Sequence, residues 1–341
     1  MVQVTYSIVS PVYNESENLP ELYRQLTEVM ERLGEPYEII LVDDGSRDAS
    51  ARIIRAYNQN DDRVKLVKLS RNFGHQLALT AGLSVATGRA VISMDSDLQD
   101  SPYAIPLFIE QWKRGYDVVY AIRRTRKESL IKQFAYKLFY RMLKMLSDFD
   151  IPIDSGDFSL MDAKVAALLN SLPEKSRYIR GLRAWVGFNQ IGVPLDRDAR
   201  YSGEAKYTFG KLMNLALSGL ISFSVVPLRV ATGIGTFVSV CSLVSILLVL
   251  YLKIFTHLSL PGFAATASIL LFLGGVQLLT VGILGEYIGR IFEEVKQRPL
   301  FIISETQGLE GASFGVAPVN SRRTSQLSSE AATSTIPAER R

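Results

Sequence analysis

The sequence predicts an α/β domain built on a mostly parallel sheet, followed by an apolar two-helix hairpin. Three observations carry that expectation. Over the first 120 residues, short β-rich apolar runs alternate with stretches of helical periodicity. Polar and acidic clusters directly follow three of those runs. Further along, residues 230–252 and 262–284 each run 23 residues without a charge.

The apolar runs are Ser7-Ile8-Val9-Ser10, Glu38-Ile39-Ile40-Leu41-Val42, Val64-Lys65-Leu66-Val67, Ala90-Val91-Ile92-Ser93-Met94 and Asp117-Val118-Val119-Tyr120. Helices are predicted between them at 16–33, 46–60, 75–86 and 102–114. Each uncharged stretch would span roughly 34 Å as a helix, enough for a hydrocarbon core of about 30 Å. Arg229 precedes the first stretch, and Arg290, Lys296 and Arg298 follow the second. A basic excess outside the hairpin predicts an inner-membrane protein with its α/β domain and both termini in the cytoplasm.

Composition narrows the function classes. The chain has 341 residues, 48% hydrophobic and 21% charged, with mean hydropathy +0.14. That allows about two globular units, or one unit plus a membrane part. It excludes a disordered or fibrous chain. A single cysteine, Cys241, excludes a disulfide framework and a Cys-based zinc site. His75 and His257 lie far apart, which argues against a His-rich metal site. The net charge of +4 does not point to nucleic acid. Residues 1–6 carry neither a basic region nor a long apolar run, so no signal peptide is expected.

In sheets of this kind ligands bind beyond the carboxyl ends of the strands. Pro11-Val12-Tyr13-Asn14-Glu15 follows the first run, Asp43-Asp44-Gly45-Ser46 the second, and Asp95-Ser96-Asp97-Leu98-Gln99-Asp100 the fourth. Neither G-x-G-x-x-G nor a P-loop pattern occurs, so neither a dinucleotide fingerprint nor a P-loop is supported. An isolated Asp-x-Asp would read as solvated turn residues. Placed after a buried strand, beside two other polar strand ends, it reads as a site. Two crowded carboxylates repel unless a cation or protons intervene. Hard oxygen ligands suit Mg²⁺ or Mn²⁺, which take further ligands from substrate phosphates. Asp44 reads either as a turn residue or as an acceptor for a nucleobase N–H, and Ser46 as a cap for the following helix.

These residues closely resemble family 2 glycosyltransferases with a GT-A catalytic fold. The motifs are Pro11-Val12-Tyr13-Asn14-Glu15, Val42-Asp43-Asp44-Gly45-Ser46, Ser70-Arg71-Asn72-Phe73-Gly74 and Asp95-x-Asp97-Leu98-Gln99-Asp100. Gly156-Asp157-Phe158, Arg180-Gly181-Leu182, Trp185-Val186-Gly187 and Leu284-Gly285-Glu286-Tyr287-Ile288-Gly289-Arg290 narrow the resemblance to polyisoprenyl-phosphate glycosyltransferases of the bactoprenol glucosyltransferase type, related to dolichol-phosphate mannose synthase. It covers about residues 6–303. It implies inverting transfer of a hexose, glucose from UDP-glucose, to undecaprenyl phosphate. Mannose, galactose and aminoarabinose remain open as the sugar. The Gln-x-x-Arg-Trp motif of processive polysaccharide synthases is absent. A non-catalytic nucleotide-sugar-binding scaffold remains an alternative.

Carried over by resemblance, Pro11, Tyr13, Glu15 and Asp44 form the nucleoside pocket. Asp95, Ser96, Asp97 and Arg123 meet the nucleotide sugar, and Asp95, Asp97 and Gln99 hold Mg²⁺ or Mn²⁺. Asp157 is the candidate catalytic carboxylate, either taking a proton or orienting a cation. Lys206 meets a phosphate, and because the acceptor must be screened from the diphosphate, either Arg177 or Arg200 is expected to join it at the acceptor phosphate. Two departures stand out: Ala205 precedes Lys206 where the family usually carries Ser or Thr, and Ser101 separates Asp100 from Pro102. The expected partners are a UDP-sugar, a polyprenyl phosphate, the lipid bilayer and a second copy of the chain in a homo-oligomer.

Eight basic residues between Arg123 and Lys144 interleave with Leu130, Ile131, Phe134, Leu138 and Met142 near helical spacing. Amphipathic membrane-surface helices are therefore expected at 129–149 and 209–223. The domains read as 1–228 catalytic, 229–290 hairpin, 291–303 juxtamembrane and 304–341 disordered tail. Trp112 and Trp185 read as packing residues, His75 as a helix-start residue, and Glu286 as an anchor at the end of the second span.

Overall fold

In the computed structural model, residues 3–123, 155–175, 177–195, 226–255 and 262–309 are described. The expected helices at 129–149 and 209–223, and Arg200 and Lys206, lie outside them.

The first half follows the expected alternation. Strands β1 (Tyr6–Val12), β2 (Tyr37–Asp43), β3 (Val64–Leu69), β4 (Ala90–Ser93) and β5 (Val118–Arg123) alternate with helices α1 (Leu19–Leu33), α2 (Ser50–Asn60), α3 (His75–Val85) and α4 (Ile105–Lys113). A 3₁₀ turn, Pro102–Ala104, leads into α4. Helix α1 carries a proline in its first turn and stops at Gly34, whose φ of 69° makes the left-handed cap. Alternate residues of β2 explain its continuous apolar run. Ile39 and Leu41 enter the core beneath α1 and α4, while Ile40 and Val42 enter the core beneath α3.

After the undescribed 124–154 stretch come β6 (Ser155–Asp162), α5 (Ala163–Ser171), α6 (Ile179–Trp185) and β7 (Gln190–Leu195). The Asp162 carboxylate accepts from Lys164 N at 3.1 Å and caps α5. Two long helices follow, α7 (Val226–Phe255) and α8 (Phe263–Val295), packed on each other. They cover both uncharged stretches. Helix α8 runs on past residue 284, so Glu286 lies within it and pairs with Arg290 at 3.6 Å rather than marking a helix end.

The described sheet has eight strands in the order β7-β5-β6-β4-β1-β2-β3-β8. Its centre, β4-β1-β2-β3, is parallel as expected. β6 is an addition: it inserts antiparallel between β4 and β5. The chain after the hairpin also departs from expectation. Ile303–Gln307 forms β8, antiparallel to β3 at the sheet edge, so the tail does not begin at Ser304. Ser70 N donates to Ile302 O at 2.9 Å. Arg55 grips Glu305 through two bonds of 2.8 and 2.7 Å. The polar sequence of β8 suits an edge, where one side of the strand faces water.

Glu38 in β2 is a buried carboxylate with a full set of partners. It accepts from the hydroxyls of Ser7 and Thr87, from Thr87 N and from Lys65 Nζ. Burial pushes its pKa up, but Lys65, Ser7 and Thr87 outweigh that and leave it below 4.5. Its ionised form therefore stabilises the fold above about pH 4.5, and that contribution is lost as pH falls through the lower, folded-state value. Glu38→Gln is expected to cost about 2 kcal/mol at neutral pH. In urea unfolding the gap to wild type should shrink as pH falls below 4.5.

Candidate active site

The strand order reverses at β1, which has β4 on one side and β2 on the other. The carboxyl ends of β1 and β4 are the topological switch point, where sheets of this kind form their binding crevice. Pro11 is buried near the end of β1, and Tyr13, just beyond the strand, is 41% exposed. Asn14 N donates to Ser46 Oγ at 3.0 Å, Arg47 N to Asn14 Oδ1 at 2.8 Å and Glu15 N to Ser50 Oγ at 3.1 Å. The loops after β1 and β2 are thereby stitched together. Ser46 does this stitching rather than capping a helix, because α2 starts only at Ser50.

Asp44 is buried. Its two oxygens accept from Phe73 N at 2.7 Å and Gly74 N at 2.9 Å. Burial pushes its pKa above the ordinary value, although both amides oppose the shift. In this structure the carboxylate holds the 71–74 loop in place. Gly45 makes that approach possible: its φ is +70°, and an added Cβ would lie 2.6 Å from Arg71 C and Asn72 N. Gly45→Ala is expected to cost about 1–3 kcal/mol from backbone strain. Thermal unfolding of the variant beside wild type checks this.

Across the crevice, Ser96 Oγ donates to Pro11 O at 2.9 Å. This bond ties the loop after β4 to β1. Asp97 is 8% exposed and accepts from Gln99 N at 3.2 Å. Asp95 Oδ1 is buried and makes no aligned hydrogen bond among the described residues, its ion-pair contact being His75 Nε2 at 3.3 Å. Its pKa is raised to about 6, first by burial and then by the charges of Asp157, Asp97 and Asp100 acting against His75. A buried carboxylate oxygen without an aligned donor, among further carboxylates, fits a divalent cation.

β6 brings Asp157 to the same place. Ser93 pairs with Ser159 in an antiparallel register. Two steps further along that register, Asp95 stands opposite Asp157. Asp157 is 7% exposed, and its backbone carbonyl accepts from Ser93 Oγ at 2.7 Å. His75, the first residue of α3, places Nε2 3.3 Å from Asp95 Oδ1 and 3.5 Å from Asp157 Oδ2. Burial works against charging this imidazole, but Asp157 and Asp95 outweigh it and lift its pKa to about 9. Arg180, at the start of α6, grips Asp157 through Nε at 2.7 Å and Nη2 at 2.6 Å. Burial alone would raise the Asp157 carboxyl; Arg180 and His75 hold it well below the usual range.

The structure brings Asp95 together with Asp157 but recruits partners that the motifs did not single out. Ligand atoms of His75, Asp95 and Asp157 lie within 4.8 Å of one another, and Asp97 is outside that group. Arg123 ends β5 in register with Leu195 of β7. Arg177 is engaged elsewhere. Its guanidinium is buried and donates to Leu169 O at 2.7 Å and Leu172 O at 2.9 Å. It closes the carboxyl end of α5 and presents no face to an acceptor phosphate. Trp112 packs as expected and donates to Asp162 at 3.0 Å, whereas Trp185 is 54% exposed.

An α/β sheet with acidic groups at its switch point, in this strand order, places the catalytic part of the chain in the GT-A class of glycosyltransferases. Residues 7–169 match the profile described as glycosyl transferase family 2, and residues 226–291 match that of the GtrB C-terminal hairpin. The uncharacterized glycosyltransferase YkcC of Bacillus subtilis is 46% identical over 308 residues, covering 90% of this chain and 95% of its own. The uncharacterized glycosyltransferase sll0501 of Synechocystis is 45% identical over 90% of this chain and 97% of its own. A prophage-derived bactoprenol glucosyl transferase of Shigella flexneri is 41% identical over 88% of this chain and 97% of its own. The chain belongs to glycosyl transferase family 2 and is a glycosyltransferase with a GtrB-type C-terminal hairpin.

Proposed function

We propose that this enzyme transfers glucose, with inversion, from UDP-glucose to a polyprenyl phosphate such as undecaprenyl phosphate at the cytoplasmic face of a membrane. The observation that carries the reading is one chain holding both the acidic switch-point site and the apolar hairpin α7–α8. The similarity to bactoprenol glucosyl transferases supports the lipid acceptor and the sugar.

The acceptor determines what the protein must supply. A phosphomonoester with a second pKa near 6 is largely dianionic at neutral pH, so its oxygen is already a nucleophile. That oxygen attacks the anomeric carbon opposite the leaving diphosphate. The new C–O bond forms as the bond to the diphosphate breaks, and the electron pair leaves with UDP. The protein's task is to bring two anions together. Asp95, Asp97 and Gln99 would hold Mg²⁺ or Mn²⁺, with His75 beside Asp95. Such an ion neutralises charge on the departing diphosphate. Tyr13, Glu15 and Asp44 shape the nucleoside pocket, and Arg123, Arg200 and Lys206 screen the phosphates.

The hairpin supports membrane residence. Phe272–Val295 is long and apolar enough to cross a bilayer, with mean hydropathy 1.4 and none of that stretch buried. The pairing of β8 with β3 supports a two-span topology with both flanks cytoplasmic. A strand following the hairpin joins the catalytic sheet only from the sheet's own side of the membrane. A homo-oligomer on the bilayer belongs to the same reading, tested by light scattering of the purified protein.

The test is a donor panel. Purified full-length protein is given polyprenyl phosphate, Mg²⁺ or Mn²⁺, and UDP- or GDP-linked hexoses, and lipid-linked product is read by mass. Glucosylated lipid from UDP-glucose is expected. Donor binding without transfer would overturn the reading in favour of a scaffold.

A further inference from the structure

Arg180 is held in a way that a simple fastening between α6 and β6 would not require. The fork it makes with Asp157 is closed at one end and open at the other. The Asp157 side chain is 6% exposed, whereas that of Arg180 is 26% exposed. Nε and Nη2 are used by the carboxylate, and Nη1 meets no partner among the described residues.

The frame behind this fork is built from four elements. Ser93 in β4 holds the Asp157 backbone. Gln76 in α3 reaches Asp157 Oδ1 with its amide nitrogen at 3.5 Å, and its amide oxygen accepts from Ile179 N at 2.9 Å. That bond fixes the first residue of α6 immediately before Arg180. Arg183, one turn on, is 2% exposed, lies 5.1 Å over the Tyr120 ring and reaches Gly156 O at 3.4 Å. Asp157 is thus faced by three cationic side chains: Arg180, His75 and Arg183. His75 is shared with Asp95, and Arg183 is buried against Tyr120 and Gly156 O, so of the two guanidinium groups it is Arg180 that keeps an exposed edge. A guanidinium fixed by a carboxylate on one edge offers its remaining N–H groups in a fixed plane, a geometry matched to phosphate oxygens.

We propose that Arg180, held in place by Asp157, binds a phosphoryl oxygen at the transfer site. Arg180 takes the role expected of Arg177, and Asp157 is a positioning residue rather than a proton acceptor. The phosphoryl oxygen belongs either to the donor diphosphate or to the lipid monoester. The activity arm of the test rests on the proposed transfer reaction; the UDP-binding arm does not.

The test uses full-length wild type, Arg180→Ala, Arg180→Lys, Asp157→Asn and the double variant Arg180→Ala/Asp157→Asn. Thermal unfolding is recorded for each, and Arg180→Lys carries the test should the alanine variant fail to fold. Arg180→Ala and Asp157→Asn are each expected to lower kcat/KM about 10²–10³-fold. The double variant should be no more than about twofold worse than the poorer single variant, because the two residues act as a unit. Arg180→Lys should recover about tenfold of the alanine loss.

Weaker UDP binding by Arg180→Ala in calorimetry assigns the contact to the donor diphosphate. A raised KM for polyprenyl phosphate with unchanged UDP affinity assigns it to the acceptor. UDP affinity and lipid KM both within twofold of wild type would overturn the proposal. Losses that multiply in the double variant would overturn the positioning role of Asp157. If wild type makes no lipid-linked sugar, the transfer reading fails, and UDP titration alone then decides whether Arg180 meets a phosphate.

Discussion

Asp95→Asn is expected to lower sugar transfer by about 10³-fold or more without lowering the unfolding midpoint of the metal-free protein. Activity and stability separate here because of where the carboxylate sits. Asp95 Oδ1 is buried and makes no aligned hydrogen bond among the described residues, so the amide forfeits none there. Burial and the charges of Asp157, Asp97 and Asp100 already disfavour the ionised form. Neutralising it relieves that repulsion, against which stands only the 3.3 Å contact with His75. In the proposed reaction the same change would remove a hard anionic ligand, and stabilisation of a departing diphosphate by a bound cation is worth several kcal/mol. The measurements are lipid-linked product by mass and thermal unfolding in chelator. A midpoint clearly below wild type would mean that Asp95 is a structural anchor instead.

Ending the chain at Ile302 is expected to lower the unfolding midpoint by about 6–12 °C and to promote aggregation, whereas ending it after Leu309 should leave both stability and transfer unchanged. The first truncation removes β8. It takes away the ladder from Leu66–Gln307 to Leu69–Ile303 and the apolar contacts of Ile303 and Leu309 with the core beneath α3. A few ladder bonds and two partly buried side chains amount to about 3 kcal/mol, which gives that midpoint shift in a domain of this size. The Arg55–Glu305 pair contributes less. Its side chains are 33% and 31% exposed, so Glu305→Ala alone should cost about 1 kcal/mol or less. Losing β8 also bares Val67 and Leu69 along an unpaired edge, a template for strand addition between molecules. Light scattering and thermal unfolding of the two truncated proteins, compared side by side, check this.

What could be read from the sequence followed from burial. β1 to β5 stand out because apolar residues on both faces of each strand enter a covered core, which writes a continuous run. The polar strand ends were legible because that core stops abruptly at them. β6 left no such run. Ser155, Asp157, Ser159 and Asp162 interrupt it, and Ser159 is satisfied by Ser93 inside the sheet rather than by water. β8 is polar because it lies at an edge. His75 was legible as the start of α3, but its role depends on β6 entering beside β4, which no local spacing encodes. Arg177 and Arg180 illustrate the same limit. They lie three residues apart, and only the start of α6 at Ile179, pinned by Gln76, decides which of them faces the crevice.

The partners Arg55 and Glu305 are separated by 250 residues. During translation the nascent chain exposes β3 long before its neighbour exists. At about 5–20 residues per second, the ribosome needs roughly 10–50 s to reach Ile303. Throughout that interval the flank of β3 has no partner, and the hydrophobic hairpin must emerge before one arrives. The last pairing of the sheet therefore doubles as a completion signal, formed only by chains whose helices have already been made.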